Sequence, residues 1–186
     1  MKRLISYTVG LMFAGAGGAT AWAGQASTQA WARNGWAADG GAAGATANYD
    51  GRGGQALTRT RTSTGRVNLA RGLAVGFDRD GMDVSFSHAI AGRIGPAYAG
   101  TFNLSIGRDG RVTGSYGGAV AQGGRAKSAQ AGGVTRSDRR GGSAQATASG
   151  QTLGGGNVRA QTRSYDRRPF QLRARRLVRV PRFWRR

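Results

Sequence analysis

The sequence predicts an all-β protein with a small antiparallel meander of about four strands, part of a sandwich or barrel, with Gly-rich flexible flanks. Between residues 67 and 121, bulky apolar residues alternate with small ones, which is the period-two pattern of a strand. Asp-Gly pairs, a strong hairpin signal, interrupt the alternation at two places. When the runs are folded at their turns, their bulky residues fall on one common face, so the three observations agree.

Four consecutive runs carry the alternation. In VNLARGLAVGF, which starts at Val67, the bulky residues occupy odd positions, whereas in DVSFSHAI, which starts at Asp83, they occupy even positions. The runs TFNLSI and RVTGSYGGAV continue the pattern from Thr101 and Arg111. Each run therefore predicts one strand with a bulky face and a small face. The predicted bulky face consists of Val67, Leu69, Leu73, Val75, Phe77, Val84, Phe86, His88, Ile90, Phe102, Leu104, Ile106, Val112, Tyr116 and Val120.

The first hairpin is predicted to turn at Asp80-Gly81, because Asp-Gly favours the two-residue type I′ turn. That turn would place Phe77 opposite Val84 and Leu73 opposite His88. The histidine would then be a cross-strand neighbour within the bulky face of the sheet.

The second hairpin requires a longer turn. A three-residue loop at Arg108–Gly110, with a left-handed final glycine, places Ile106 opposite Val112 and keeps the bulky residues on one face. Between the hairpins, a reversal at Gly95-Pro96 would place Phe86 opposite Ile106. The two hairpins thus form one meander over residues 65–121.

A sheet with one bulky face needs a cover, because burying a large apolar side chain stabilises by about 1.5–3 kcal/mol only when water is excluded. We expect that cover to come from Trp31, Trp36 and Leu57, from further strands, or from a second copy of the chain. The stretch QALTRTRTST, residues 55–64, alternates Leu or Arg with Thr or Ala and predicts an edge strand.

Residues 1–23 have the pattern of a cleavable signal peptide. A basic start at Lys2 and Arg3 precedes an apolar stretch from Leu4 to Ala16, and Ala21–Ala23 is an A-x-A cleavage signal. Gly24 is the predicted first residue of the exported chain. We therefore expect secretion or a place in the cell envelope, with an uncleaved membrane anchor as the alternative.

Three further segments differ from the predicted sheet domain in composition. Residues 24–64 are rich in Gly, Ala and Thr, and residues 122–165 form a low-complexity segment of Gly, Ala, Gln and Arg. The second segment is expected to be a disordered linker, with Gln/Thr-laddered strands as the alternative. Residues 166–186 form a basic aromatic tail.

The charge balance favours anionic partners. The chain carries 28 basic and 8 acidic residues, a net charge of +20, although a codon bias towards Arg is an alternative origin. The partners expected are polysaccharide, lipopolysaccharide, acidic lipid or nucleic acid, and no small-molecule substrate. The arginines expected to bind them, all in the tail, are Arg167, Arg168, Arg173, Arg175, Arg176, Arg179, Arg182, Arg185 and Arg186.

Catalytic chemistry has little support in the sequence. Nucleophilic catalysis would require His88 beside a serine, but Ser85 and Ser87 fall on the opposite strand face. The chain has no Glu and no Cys, and four of its Asp residues precede Gly in predicted turns. We expect a non-enzymatic protein without a cofactor.

The stretch DRDGMD, which begins at Asp78, offers an alternative cation site. Asp78, Asp80 and Asp83 are closely spaced carboxylates around a glycine, as at the start of oxygen-ligand calcium loops. The later ligands and terminal Glu of such loops are missing, so a hairpin turn is the competing interpretation.

Together these features predict an exported, Gly-rich β-protein that is structural or adhesive and binds anionic polymers or envelope components through Arg. Self-association through the sheet is compatible with this prediction. The alternative is a secreted cationic effector whose tail acts on membranes or nucleic acid, and a calcium-binding module is the remote alternative.

Overall fold

The computed structural model describes residues 24–34, 41–51, 55–138 and 141–167, and these form an all-β structure of two antiparallel sheets. The predicted fold class is confirmed, but four strands is too few. The strands are β1 (Gly24–Arg33), β2 (Ala42–Gly51), β3 (Gln55–Ser63), β4 (Val67–Asp78), β5 (Gly81–Gly92), β6 (Ala97–Gly107), β7 (Val112–Gln122), β8 (Ala126–Asp138), β9 (Gly141–Leu153) and β10 (Asn157–Arg167).

The two sheets pack face to face as a sandwich. The four-stranded sheet has the order β2-β1-β8-β9, and the six-stranded sheet has the order β10-β7-β6-β5-β4-β3. β1 lies over β4 and β5, β8 lies over β5 and β6, and β9 lies over β6 and β7. The core is therefore the space between the sheets, and each sheet turns its other face outward.

The predicted meander is β4 to β7 of the six-stranded sheet, and QALTRTRTST contains its edge strand β3. The second hairpin has the predicted register, since Ile106 pairs with Val112. Gly110 has φ 76°, the left-handed conformation that the three-residue loop needs, and its N–H donates to the Gly107 carbonyl at 2.9 Å. Turn chemistry, together with the requirement that the bulky residues share one face, was enough to specify this hairpin.

The predicted register of the first hairpin is wrong by two residues. The turn residues are Arg79–Asp80, because Asp78 pairs with Gly81. The Asp78 carboxylate accepts hydrogen bonds from the backbone N–H groups of Asp80, at 2.8 Å, and Gly81, at 3.0 Å. An aspartate that caps its own turn thus overrides the Asp-Gly preference. His88 consequently lies opposite Arg71 rather than Leu73.

The middle reversal is also shifted from its predicted register. Phe86 pairs with Phe102 rather than with Ile106, because β6 starts at Ala97, directly after the Gly95-Pro96 turn. Both shifts are even numbers of residues. Since side chains alternate with a period of two, every bulky residue stays on its predicted face.

The main correction concerns which face is buried. The small face of the meander lies in the core, and the bulky face points away from the four-stranded sheet: Ala70 and Ala74 are 0% exposed, whereas Phe77 is 51% exposed. The inner face of the four-stranded sheet is also made of small residues, such as Ala30 and Ala131. Two small faces let the sheets approach closely, and close packing gains dispersion energy without large side chains.

The expected cover for the bulky face is absent from the described part of the chain. Leu57 belongs to the same outward face as the meander, because it pairs with Val75. Trp31 lies on the outer face of the other sheet, in register with Gly44 and Gln130. Trp36 lies outside the described residues.

The core is partly polar, and its hydroxyl and amide groups bond to one another. Ser85 donates to the Asn103 side-chain oxygen at 2.7 Å, and the hydroxyls of Thr28 and Ser85 are 2.8 Å apart. Asn103 in turn donates towards Ser115 at 3.3 Å. Gly133 of β8 makes room for Asn103, since a side chain there would overlap the amide group. Buried polar groups joined in this way fix the register of both sheets.

The expectation of flexible flanks is wrong for the described residues. The N-terminal segment supplies β1, β2 and β3, and residues 122–165 supply β8, β9 and most of β10. In β9, Ala144, Ala146 and Ala148 turn inward while the Gln, Ser and Thr residues between them face outward. Small side chains are sufficient to form a core when the side chains on the inner face of the opposing sheet are equally small.

Candidate functional site

The candidate site is the outer face of the six-stranded sheet, which exposes apolar side chains and which we call the apolar face. It consists of residues that share a side of all six strands in cross-strand register. Its centre is aliphatic and aromatic, and its margins on β3 and β10 are basic. In five rows from β3 to β10, it contains Gln55-Phe77-Met82-Ile106-Val112-Arg167, Leu57-Val75-Val84-Leu104-Gly114-Tyr165, Arg59-Leu73-Phe86-Phe102-Tyr116-Arg163, Arg61-Arg71-His88-Gly100-Gly118-Gln161 and Ser63-Leu69-Ile90-Tyr98-Val120-Arg159.

The apolar face is large for a solvent-exposed surface. Phe102 and Tyr116 at its centre are 41% and 44% exposed, and Ile90 is 38% exposed. With strands about 4.8 Å apart and about 3.4 Å per residue, four apolar strands and five rows cover roughly 500 Å². Patches of about 300–600 Å² are the largest on typical monomers and often bind a partner. A face of this size is a candidate interaction surface.

Glycines on the apolar face are covered by neighbouring aromatic rings. The Tyr165 ring lies across Gly114, where an added side chain would overlap it, and His88 lies against Gly100. The rings of Phe86 and His88 are stacked with centroids 5.5 Å apart, and Tyr98 follows at 5.4 Å from His88. Aromatic rings that lie over glycines in this way occupy the space left by the missing side chains.

The charge on the apolar face is of one sign. Its five rows contain six arginines and no acidic residue, and the arginines are Arg59, Arg61, Arg71, Arg159, Arg163 and Arg167. Arg61 and Arg71 lie directly opposite each other on β3 and β4. Like charges in such a pair destabilise a sheet, because their side chains leave the backbone about 5 Å apart. An anionic group bound between the two guanidinium groups would relieve this repulsion.

His88 belongs to the apolar face, and its surroundings favour the neutral imidazole. Burial, and secondly the nearby charge of Arg71, lower the pKa of His88 below its usual value. Its Nδ1 has no hydrogen-bond partner within the described residues. Ser85 and Ser87 are on the inner face, as the sequence predicted, so His88 does not activate either hydroxyl.

The sequence-predicted sites have different outcomes. Arg167 is the last residue of β10 and joins the basic margin of the apolar face, whereas the other predicted anion-binding arginines, residues 168–186, lie outside the described residues. Asp78, Asp80 and Asp83 do not converge as a set of three: the carboxyl groups of Asp78 and Asp83 both lie beside Gly24, whereas Asp80 is in the turn. No group of three His, Cys, Asp or Glu side chains among the described residues is placed to hold a metal ion.

The contact between Tyr49 and Asp78 was not predicted from the sequence. Tyr49 of β2 places its ring against Gly76, and its hydroxyl donates towards the Asp78 carboxylate at 3.4 Å. Burial, together with the charges of Asp78 and Asp83, raises the pKa of Tyr49 to about 12. The only signal in the sequence was the alternation of Tyr49 with small residues in TANYDG.

The outer face of the four-stranded sheet has a different chemistry. Its side chains are mainly Gln, Ser and Thr, and a groove of about 380 Å³ lies over Gly132 between Gln29, Gln130 and Thr147. All the groove residues are uncharged. The two outer faces of the sandwich therefore differ: one is mainly polar and contains Asp50 as well as Arg33 and Arg136, and the other is apolar with basic margins.

The described residues thus define an antiparallel two-sheet β-sandwich with one exposed, arginine-bordered apolar face. No protein-family model, curated protein or solved structure matches the chain. Within the described ranges, no helix is long and apolar enough to cross a membrane. The function must therefore be argued from the geometry of the surface.

Proposed function

We propose that this protein is an exported envelope-binding protein whose apolar face lies on an anionic amphiphilic surface, that is, acidic lipid or lipopolysaccharide. The observation that carries the proposal is the cross-strand pair Arg61 and Arg71, which borders the exposed aromatic residues and has no acidic partner in its rows. A phosphate group would sit between these guanidinium groups while acyl chains meet the aromatic rows.

The magnitudes favour an amphiphile over a purely hydrophilic polymer. Each arginine near an anionic bilayer contributes about 1 kcal/mol, so the six arginines of the apolar face would supply a substantial attraction. The exposed residues Phe102 and Tyr116 would bury apolar area in the headgroup boundary, at about 25 cal/mol per Å². A hydrophilic polymer would pair with the arginines but leave these rings in water.

The test measures sedimentation of the exported chain with phosphatidylglycerol vesicles and with phosphatidylcholine vesicles. We expect binding to the anionic vesicles only. Replacing Arg61 and Arg71 with Gln removes two charges and should weaken binding about 30-fold, since each 1.4 kcal/mol is tenfold. The charge-matched control replaces Arg33 and Arg136, on the outer face of the four-stranded sheet, and should change binding little.

A second pair of variants separates the aromatic contribution. Phe102→Ser should weaken vesicle binding, whereas Trp31→Ser, which removes an aromatic residue of similar exposure from the opposite outer face, should not. The proposal would be contradicted if each variant of the apolar face lost no more vesicle binding than its control on the opposite face. Equal binding to neutral and anionic vesicles would also contradict it. High salt should weaken the arginine contribution and leave a residual apolar one.

The secreted cationic effector is the alternative supported by the same surface. It differs in outcome, since an effector would release a dye trapped in anionic vesicles, whereas a binding protein would adhere without leakage. Removing residues 169–186 distinguishes the tail from the sheet: the shortened chain should keep binding if the apolar face is the site.

A further inference from the structure

One end of the sandwich holds an acidic cluster beside the start of β1. Gly24 is buried there and turns inward, in register with Gly51 and Ser137. A methyl group on Gly24 would lie 2.6 Å from Oδ2 of Asp78, 2.9 Å from the Tyr49 hydroxyl and 3.0 Å from Oδ2 of Asp83. The space beside the Gly24 Cα is thus surrounded by three oxygen atoms.

Asp83 is the unusual member of this cluster, because it is 1% exposed and its Oδ1 accepts no hydrogen bond from the described residues. Its Oδ2 accepts from the Ser137 hydroxyl at 2.5 Å. Neither Asp78 nor Asp83 forms an ion pair with any residue in the described ranges. Burial raises the pKa of Asp83, so its charged form is costly unless a cation is bound beside it, and the cluster has the character of an incomplete site.

We propose that this cluster is a binding site for a primary ammonium group, and that its occupant is the α-ammonium of Gly24, created when the signal peptide is cleaved after Ala23. Gly24 is the residue that the sequence predicts to follow the cleavage site, and the three oxygens surround the space beside its Cα. The ligand class is a primary ammonium because the three oxygens match its three N–H donors.

The geometry follows from the glycine itself. The N–Cα bond of about 1.46 Å is close in length to a Cα–Cβ bond. Rotation of about 120° about the Cα–C bond of Gly24 moves the free nitrogen into the position of the missing Cβ. The nitrogen then lies within hydrogen-bond distance of the oxygens of Asp78, Tyr49 and Asp83. Only a chain that starts at Gly24 can make this rotation without redirecting preceding residues.

Cleavage then changes the electrostatics of the mature protein. In the precursor the Gly24 nitrogen is a neutral amide with one N–H, so it cannot supply a cationic partner to Asp83. In the exported chain the ammonium group pairs with Asp78 and Asp83, which makes the folded state more stable after cleavage than before. The proposal rests on the predicted cleavage and not on vesicle binding, so either proposal can fail alone.

The test compares the exported chain that starts at Gly24 with the same chain that retains Ala23. We expect the Gly24 chain to melt at least about 5 °C higher at pH 6.5. The pKa of its α-amino group, measured from the pH dependence of the Gly24 ¹³Cα chemical shift in a ¹³C-labelled chain, should exceed the ordinary range of about 7.7–8.0. Because the folded pKa of the α-amino group is raised, the difference in melting temperature should be present at pH 6.5 and disappear as pH rises through that pKa.

Asp83→Asn is the key variant and should remove most of the difference between the two chains. Asp109→Asn, which deletes a carboxylate from a different turn, is the matched control and should preserve the difference. Equal melting temperatures for the two chains, or an ordinary α-amino pKa in the Gly24 chain, would overturn the proposal. The pKa measurement needs only a folded Gly24 chain, so it decides even if Asp83→Asn fails to fold.

Discussion

His88 shows how one residue can tune the apolar face. Its ring continues the aromatic row from Phe86 to Tyr98, so the neutral form maintains an apolar surface. A charged imidazole would instead be placed 5.5 Å from the Phe86 centroid and opposite Arg71 on the neighbouring strand. The lone histidine is therefore a surface residue whose charge state decides the polarity of the central rows.

We predict that His88 titrates below its ordinary pKa of 6.5 in the folded protein, because burial and Arg71 disfavour the imidazolium. Because the pKa of His88 is lower in the folded than in the unfolded protein, neutral His88 contributes to the free energy of unfolding above pH 6.5. This contribution is lost as the pH falls through the pKa of His88 in the folded protein. The chain has a single histidine, so one Cε1 proton signal reports the titration by NMR.

The control for this titration exploits the charge nearby. Arg71→Gln should move the His88 midpoint upward, while Arg33→Gln, on the other sheet, should leave it unchanged. A His88 titration midpoint at or above 6.5 in the parent protein would show that the ring is solvated and is not buried between Phe86 and Tyr98.

At the scale of the strands, pairing partners depend on residues that the alternation does not identify. The register of the second hairpin was predicted correctly, because Gly110 adopts the left-handed conformation that its loop needs. The register of the first hairpin was not, because Asp78 caps a turn that lies one residue earlier than predicted. Faces were predictable throughout, since both errors in register were even. Which face is buried was not predictable, because burial depends on the opposing sheet.

The core can be built from small residues because the two sheets pack closely against each other. Gly133 of β8 faces Asn103 of β6, and an added methyl group would overlap the amide. We predict that Gly133→Ala destabilises the protein by about 1–3 kcal/mol, measured by urea unfolding, because the core has no room for it. Gly118→Ala is the matched control, since its methyl group would lie 3.4 Å from the nearest heavy atom and should change stability by at most about 0.5 kcal/mol.

The source of the Gly133 penalty can be isolated with a double variant. In an Asn103→Ala background the methyl group gains space, so Gly133→Ala should cost less than in the parent chain. An unchanged penalty would mean that the strain comes from the backbone of β8 rather than from the Asn103 amide.

At the scale of the whole molecule, the sandwich joins segments that differ strongly in composition. β1 and β8 are neighbours in the four-stranded sheet although one comes from the N-terminal segment and the other from the low-complexity segment. Composition predicted disorder for the latter because it lacks large apolar residues. The structure compensates with small inward residues on both sheets, which no single segment reveals.

This arrangement predicts a specific pattern of amide hydrogen exchange in the exported chain. β1 and β8 each have a hydrogen-bonded strand on both sides, so their amides should be protected as strongly as those of β5 and β6. The edge strands β3 and β10 should exchange faster, because one side of each lacks a partner strand. Protection confined to residues 67–122 would mean that the meander folds alone. Slow exchange in β1 and β8 would instead show that the sheets fold together, and that the apolar face is exposed because the small faces are occupied.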